Sequence, residues 1–198
     1  ILQAPETKTE TDPLKIADEV LAGNTALLID GVAEAVIIGM KKLSMRAIME
    51  PPGAIAVKGP REGFIEDLKT NMSLVRTRLR TPKLQFKTLT AGKQSKTAIA
   101  VGYLDGIADE EIVKKIVDKI ECIEIDGIPD SSYVAKFLAE RPNSLFKPTG
   151  TTEKPDVLAA KMLEGRVAIL VDGSPIALTL PYLLVEDFQG AQDYFVSP

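Results

Sequence analysis

Hydrophobic and polar positions follow the same order in two segments of the chain, residues 20–38 and 162–180. In each segment a helical apolar pattern runs up to a glycine. Two further apolar runs then flank an Asp-Gly pair, Asp30-Gly31 in the first segment and Asp172-Gly173 in the second. Asp-Gly favours a tight hairpin because glycine adopts positive φ at no steric cost. The pattern therefore predicts a helix and then a β-hairpin near each end of the chain.

Between these two units the pattern changes from helical to strand-like. Apolar residues at helical spacing predict a long amphipathic helix that starts at Phe64 and stops before Pro82. Residues 84–92 alternate like a strand, and the apolar run 97–104 is typical of a more buried strand. Upstream, the short apolar run 54–57 is enclosed by prolines and glycines that turn the chain.

The most regular succession of elements occupies the centre of the chain. The strand at 97–104 precedes an amphipathic helix at 109–120, a short strand at 122–126 and a second helix at 131–140. We expect this β-α-β-α order to form a right-handed crossover between parallel strands. Cys122 is expected to be a small buried hydrophobe on the second of these strands.

These elements predict an α/β fold with mixed sheets and a βαβ crossover, arranged as two small α/β subdomains. We place the first at residues 1–92, with a flexible tail at 1–11, and the second at 93–198. Each has one helix-then-hairpin unit, although the two hairpins could instead pack together as one lobe closed by both termini. The first range has 13 basic and 11 acidic side chains and the second has 11 and 17, and this difference supports two lobes.

The composition excludes several kinds of site. The chain has 198 residues, no His and one Cys, so it can build neither a structural zinc site nor a His-assisted Ser or Cys nucleophile. It has no phosphate-binding glycine motif and no apolar run of membrane length. A single cysteine forms no internal disulfide and fits a reducing compartment. No catalytic residue, metal ligand or cofactor is therefore expected.

Five short motifs occur in a fixed order along the chain. They are GPREGF at 59–64, LVRTRLRTPKL at 74–84, DGIPDSSYV at 126–134, TTEKPD at 151–156 and LEGRVAILVDGSP at 163–175. Together they resemble the soluble N-terminal region of the A subunit of nutrient germinant receptors, the GerA family of endospore-forming bacteria. The resemblance runs from about Asp12 to the end of the chain. A related stage V sporulation membrane protein shares this region.

The resemblance implies a non-catalytic part of a membrane receptor. The parent protein would lie in the inner spore membrane, with its membrane domain after residue 198 and this region facing the cytosol or spore core. Implied partners are the B and C subunits of the same receptor and other A subunits in an oligomer. The implied role is germinant sensing, signal transduction and receptor assembly. Amino acid or sugar germinants and an anionic lipid surface are further candidate partners.

Six residues are candidates for interaction or ligand contacts: Arg61, Glu62, Asn71, Arg76, Arg78 and Arg80. Arg61 and Glu62 either contact a subunit or anion, or form an ion pair that caps a turn. Asn71 either binds a ligand or satisfies a buried loop. The last three arginines belong to residues 69–96, which hold eight basic side chains and no acidic one. This stretch either meets an anionic partner or is a solvated helix end.

Other classes of function give different expectations. A two-lobed module could bind a small molecule or anion in a cleft between its lobes. An enzyme would need titratable residues that converge in a pocket, and no spacing in the sequence nominates such a pair. Nucleic acid is not an expected partner, because no aromatic residue is placed for base stacking.

Overall fold

The computed structural model describes residues 7–21, 24–38, 62–139 and 149–182. In these ranges the chain forms eight strands and five helices. The strands are β1 (Thr7–Glu10), β2 (Thr25–Leu27), β3 (Ala35–Ile38), β4 (Leu84–Ala91), β5 (Thr97–Leu104), β6 (Gly150–Thr152), β7 (Val167–Val171) and β8 (Ala177–Leu180). The helices are α1 (Pro13–Leu21), α2 (Leu68–Arg78), α3 (Glu110–Glu121), α4 (Ser131–Leu138) and α5 (Pro155–Leu163). The predicted mixed α/β class is confirmed.

The first three strands form a small antiparallel sheet in the order β1-β3-β2. Its strand β1 lies within the tail that was expected to be flexible. The central strand β3 buries Ala35 and Ile37, which point to one face because side chains alternate along a strand. Helix α1 begins after Asp12, whose carboxylate accepts the Leu14 N–H. Together with Gly31 at φ 80° between β2 and β3, these elements confirm the first helix-then-hairpin unit.

The other five strands form an antiparallel sheet in the order β4-β5-β7-β8-β6. The second helix-then-hairpin unit, α5 followed by β7 and β8, is confirmed here, with Gly165 at φ 90° and Gly173 at φ 82°. The two predicted hairpins belong to different sheets, and the alternative that they pack together as one lobe stays a prediction. In this sheet β4, which precedes residue 92, pairs with β5, which follows it. The subdomain boundary at residue 92 stays a prediction.

Alternating side chains divide the core of this sheet into two clusters. On one face, α3 and α4 pack against Ile99 and Val101 of β5. On the other face, α2 and α5 pack against Ala100 and Leu104 of the same strand. The five-stranded sheet therefore lies between two helical layers, and all five residues of its central strand β7 are buried.

The predicted parallel crossover is wrong. Residues 122–126 form no strand, and every strand pairing in the described part of the chain is antiparallel. Instead this segment is a loop whose backbone binds the turn between β4 and β5. The Lys93 N–H donates to the Ile125 carbonyl at 2.8 Å, and the Gln94 N–H donates to the Asp126 carbonyl at 2.8 Å. Cys122 caps the C-terminus of α3 and is exposed, so its predicted burial is also wrong.

Helix α2 begins four residues later than predicted, at Leu68. Phe64 is nevertheless buried, because it is packed against the cluster below α2 from the preceding loop. Phe64 lies in the loop before α2 at a position that matches the apolar spacing of the helix. The predicted start of the helix was therefore too early. The apolar run 54–57 lies outside the described residues.

Candidate functional site

Hydrogen bonds join the five motifs that were singled out in the sequence, in part directly and in part through Glu66 and Leu68, which follow GPREGF. The contacts involve residues 62–68, Arg78, Ser131, Glu153 and residues 172–174, and we call this set the motif junction. The Phe64 N–H donates to the Glu153 carbonyl at 2.8 Å, which ties GPREGF to TTEKPD. Residues from distant parts of the sequence therefore meet in one place.

The turn between β7 and β8 holds the N-terminus of α2. Asp172 Oδ1 accepts the Leu68 N–H at 3.2 Å, and the Gly173 N–H donates to the Glu66 carbonyl at 2.8 Å. The first N–H groups of a helix have no partner within the helix, so a carboxylate from another element is stabilising there. Asp172 is thus more than a turn residue, because it also supports a helix that precedes it by about a hundred positions.

A second carboxylate, that of Asp67 directly before α2, also accepts an N–H group at the start of this helix. Asp67 Oδ2 accepts the Thr70 N–H at 2.7 Å. Hydrogen bonds from Thr70 lower the pKa of the Asp67 carboxyl below its usual value, because they favour the ionised form. A carboxylate also caps the N-terminus of α4. There hydrogen bonds, first of all from Ser132, lower the pKa of the Asp130 carboxyl.

Two buried serines attach α4 to the same turn. Ser174 Oγ donates to Ser131 Oγ at 3.0 Å, and each residue is 3% exposed. Ser131 is the first residue of α4 and belongs to DGIPDSSYV, whereas Ser174 ends the DGS of LEGRVAILVDGSP. Sequence reasoning missed this pair, and its only signal was that both serines lie inside the quoted motifs.

Asn71 lies on the inner face of α2 and is 1% exposed. Its side chain makes two hydrogen bonds to Ile65: Oδ1 accepts the Ile65 N–H at 2.9 Å, and Nδ2 donates to the Ile65 carbonyl. This pairing satisfies the loop before α2, because both backbone groups of one residue find partners. A ligand contact by Asn71 stays a prediction.

The charged candidates do not converge on one point. Arg78 Nη2 donates to Glu62 Oε2 at 2.5 Å, and both side chains are partly exposed, so this pair is worth little stability. Arg76 lies over the ring of Phe86, with Cζ 5.1 Å from the ring centroid. Arg80 Nε donates to the Thr77 carbonyl at 3.3 Å. Arg61 lies outside the described residues.

Two kinds of feature are absent from the described ranges of the chain. In those ranges no three His, Cys, Asp or Glu side chains come together in a way that could hold a metal ion. None of the helices described there is long and apolar enough to cross a membrane.

The chain is similar to germination proteins of known sequence. The model of the family described as Bacillus/Clostridium GerA spore germination protein matches residues 1–198. Spore germination protein KA of Bacillus subtilis (strain 168) is 37% identical over 188 residues, which are 95% of this chain and 35% of that protein. Uncharacterized membrane protein YfkQ of the same strain is 36% identical over 186 residues, 94% of this chain and 36% of that protein. The chain thus spans about a third of the length of these relatives.

A solved structure has the same fold. The crystal structure of the N-terminal domain of the A subunit of the Bacillus megaterium spore germinant receptor GerK3 matches with a TM-score of 0.66 at 28% identity. The match covers 91% of this chain and 64% of that one.

Proposed function

Since this chain belongs to the Bacillus/Clostridium GerA spore germination protein family, we propose that it is the non-catalytic N-terminal domain of a nutrient germinant receptor A subunit. The observation that carries the proposal is the match of 91% of the chain to the N-terminal domain of such a subunit. The absence of histidine supports a non-catalytic role, because the commonest general base is missing.

The proposed setting is the inner spore membrane. The parent protein is anchored there by segments outside this chain, and this domain faces the cytosol or spore core. It assembles with the B and C subunits of its receptor and with other A subunits. The signal it helps to transmit starts from an amino acid or sugar. The name of YfkQ as a membrane protein supports this placement.

The motif junction is the part of the domain through which we propose that the signal passes. Its turn between β7 and β8 touches α2 through Asp172 and α4 through Ser174. Helices on both faces of the sheet are therefore attached to one short turn, and a movement of either helix acts on the other through it.

The test uses the full-length protein in spores whose other germinant receptors have been deleted. Deletion of the gene is expected to abolish germination by the amino acid or sugar to which this receptor responds, measured as the fall in optical density. Full-length wild-type protein should restore the response. The tagged protein should fractionate with the inner membrane and co-purify with the B and C subunits.

A matched pair of variants tests the motif junction. Asp172→Ala removes the acceptor of the Leu68 N–H and is expected to slow germination at an unchanged protein level. Asp118→Ala makes the same chemical change on the exposed side of α3 and should germinate like the wild type. Normal germination after gene deletion, or purification without B and C, would overturn the receptor proposal. Normal germination of Asp172→Ala would overturn only the role of the junction.

A further inference from the structure

A cleft of about 280 Å³ lies between α1 and α2. Its apolar wall consists of Val20 and Leu21 from α1 and of Leu79 at the end of α2. Its polar wall consists of Ser73, Arg76, Thr77 and Thr81. We propose that this cleft is a binding site for a small carboxylate with a short aliphatic chain.

The polar wall offers hydrogen-bond donors. The Thr77 hydroxyl donates to the Ser73 carbonyl at 2.9 Å, so its hydrogen is already in use. Thr81 Oγ1 accepts the Lys83 N–H at 3.3 Å, which leaves the hydrogen of that hydroxyl free to donate. With the guanidinium of Arg76 this makes a set of donors, and among the described residues no acidic side chain lines the cleft. Such a set suits an anion.

Arg76 supplies a charge that is held in place and that no carboxylate among the described residues neutralises. Its guanidinium lies over the Phe86 ring, which restricts its motion. In the described part of the chain no carboxylate pairs with Arg76, whereas Arg78 pairs with Glu62 and Arg80 donates to a backbone carbonyl. Of the three arginines, only Arg76 lies along the wall of the cleft, so it is the one placed to pair with a ligand carboxylate.

The negative end of the α2 dipole opposes an anion at this place. Two contacts reduce that effect. The Leu79 N–H donates to the Val75 carbonyl at 2.9 Å, and Arg80 Nε donates to the Thr77 carbonyl. These carbonyls are satisfied and carry less free negative potential towards the cleft.

The apolar wall and the size of the cleft decide the rest of the ligand. Val20 is 48% exposed, so an aliphatic group that covers it removes apolar surface from water. The volume is at the lower limit for small-molecule sites, which run from about 300 to 1,000 Å³. A carboxylate with a short aliphatic group can contact both walls, whereas an inorganic anion contacts only the polar one.

This inference goes beyond the receptor role, and its test is independent of it. The purified 198-residue chain is titrated with isovalerate and followed by the amide signals of its NMR spectrum. Two probes serve as comparisons: 3-methylbutan-1-ol has the same aliphatic group without charge, and sulfate has charge without an aliphatic group. We expect saturable shifts for isovalerate at the amides of Val20, Leu21 and residues 73–81, and binding at least about tenfold weaker for either comparison probe.

Three variants locate the site. Arg76→Gln should weaken isovalerate binding at least about tenfold, whereas Lys87→Gln, which removes an exposed positive charge on β4 outside the cleft, should leave the dissociation constant within about twofold. Val20→Ala should weaken isovalerate binding and leave the response to sulfate unchanged. No saturation with isovalerate, equal binding by Arg76→Gln, or equal affinity for sulfate would overturn the proposal.

Discussion

Arg76, Phe86 and Gly102 form a stack in which each residue depends on the next. Phe86 on β4 is the cross-strand partner of Gly102 on β5. A Cβ atom at residue 102 would lie 2.6 Å from Cε1 of the Phe86 ring, which is closer than such atoms approach each other. Because Gly102 has no side chain, the Phe86 ring can pack over it. The guanidinium of Arg76 in turn lies over this ring.

Gly102→Ala is therefore expected to displace the Phe86 ring and to destabilise the fold by about 1–3 kcal/mol, as overpacking does. The measurement is the free energy of urea unfolding. The matched control is Gly127→Ala, because a Cβ atom there meets no atom closer than 3.8 Å. It should unfold like the wild type. If Gly102→Ala were equally stable, the ring would not rest on this glycine.

Three helices, α2, α3 and α4, begin at carboxylates that accept backbone N–H groups. Asp67 begins α2, Asp109 begins α3 and Asp130 begins α4. For Asp67 and Asp130 the hydrogen bonds to the ionised form lower the pKa of the carboxyl below its usual value of 3.8. A lowered pKa in the folded chain means that ionisation stabilises the fold above the usual pKa. This contribution is lost as the pH falls through the lowered value.

Asp67→Ala should cost about 1 kcal/mol of unfolding free energy near pH 6, because the Thr70 N–H loses its acceptor. When the pH is lowered from 6 to about 2, protonation of the Asp67 carboxyl increases, so the difference between the two proteins should shrink. Asp67→Ser is the control, since its hydroxyl still caps the helix and does not titrate in this range. Urea unfolding at the two pH values measures the effect, and a difference that grew on acidification would contradict it.

In the whole molecule, the turn between β7 and β8 connects the two helical layers. Asp172 binds the start of α2 on one face of the five-stranded sheet. Ser174, two residues later, binds the start of α4 on the other face. A single turn therefore sets the position of helices that do not share a core cluster.

A double-mutant cycle measures how strongly Ser131 and Ser174 couple α4 to this turn. Each single change to Ala should destabilise the domain by about 1–2 kcal/mol, because it leaves the other buried hydroxyl without this partner. The double variant should lose clearly less than the sum, with a coupling free energy of about 1 kcal/mol. Additive losses in urea unfolding would show that the two hydroxyls do not act as a pair.

Local signals explain why much of the fold could be predicted. Both helix-then-hairpin units, the helix α3 and the strands β4 and β5 have their own periodicity, caps and turn residues. Residues 122–126 alternate between apolar and acidic side chains, as a strand does. The strand with which they were expected to share a sheet, β5, is already paired with β4 on one side and β7 on the other. A segment forms a strand only where a partner edge is free, and periodicity carries no information about that.

For the candidate residues, too, the sequence does not show which groups lie next to each other in space. The basic character of residues 69–96 is visible in the sequence, and the position of Asn71 among apolar residues indicated a buried amide. The sequence left two interpretations of Asn71 open; the structure shows its bonds to both backbone groups of Ile65, and a ligand contact stays a prediction. Similarly, three arginines at alternate positions look equivalent, and only their neighbours in space distinguish the pair of Arg78 with Glu62 from the stacked Arg76.

The sequence by itself determined the family, the α/β class and the turns at Asp30-Gly31 and Asp172-Gly173, because these depend on motif order and on residues adjacent in the chain. Only the tertiary structure decided the antiparallel sheets, the motif junction and the cleft between α1 and α2. The bond from Leu68 to Asp172 spans 104 positions and that from Ser131 to Ser174 spans 43. Partners so far apart are selected by how the whole chain packs, and no local pattern encodes them.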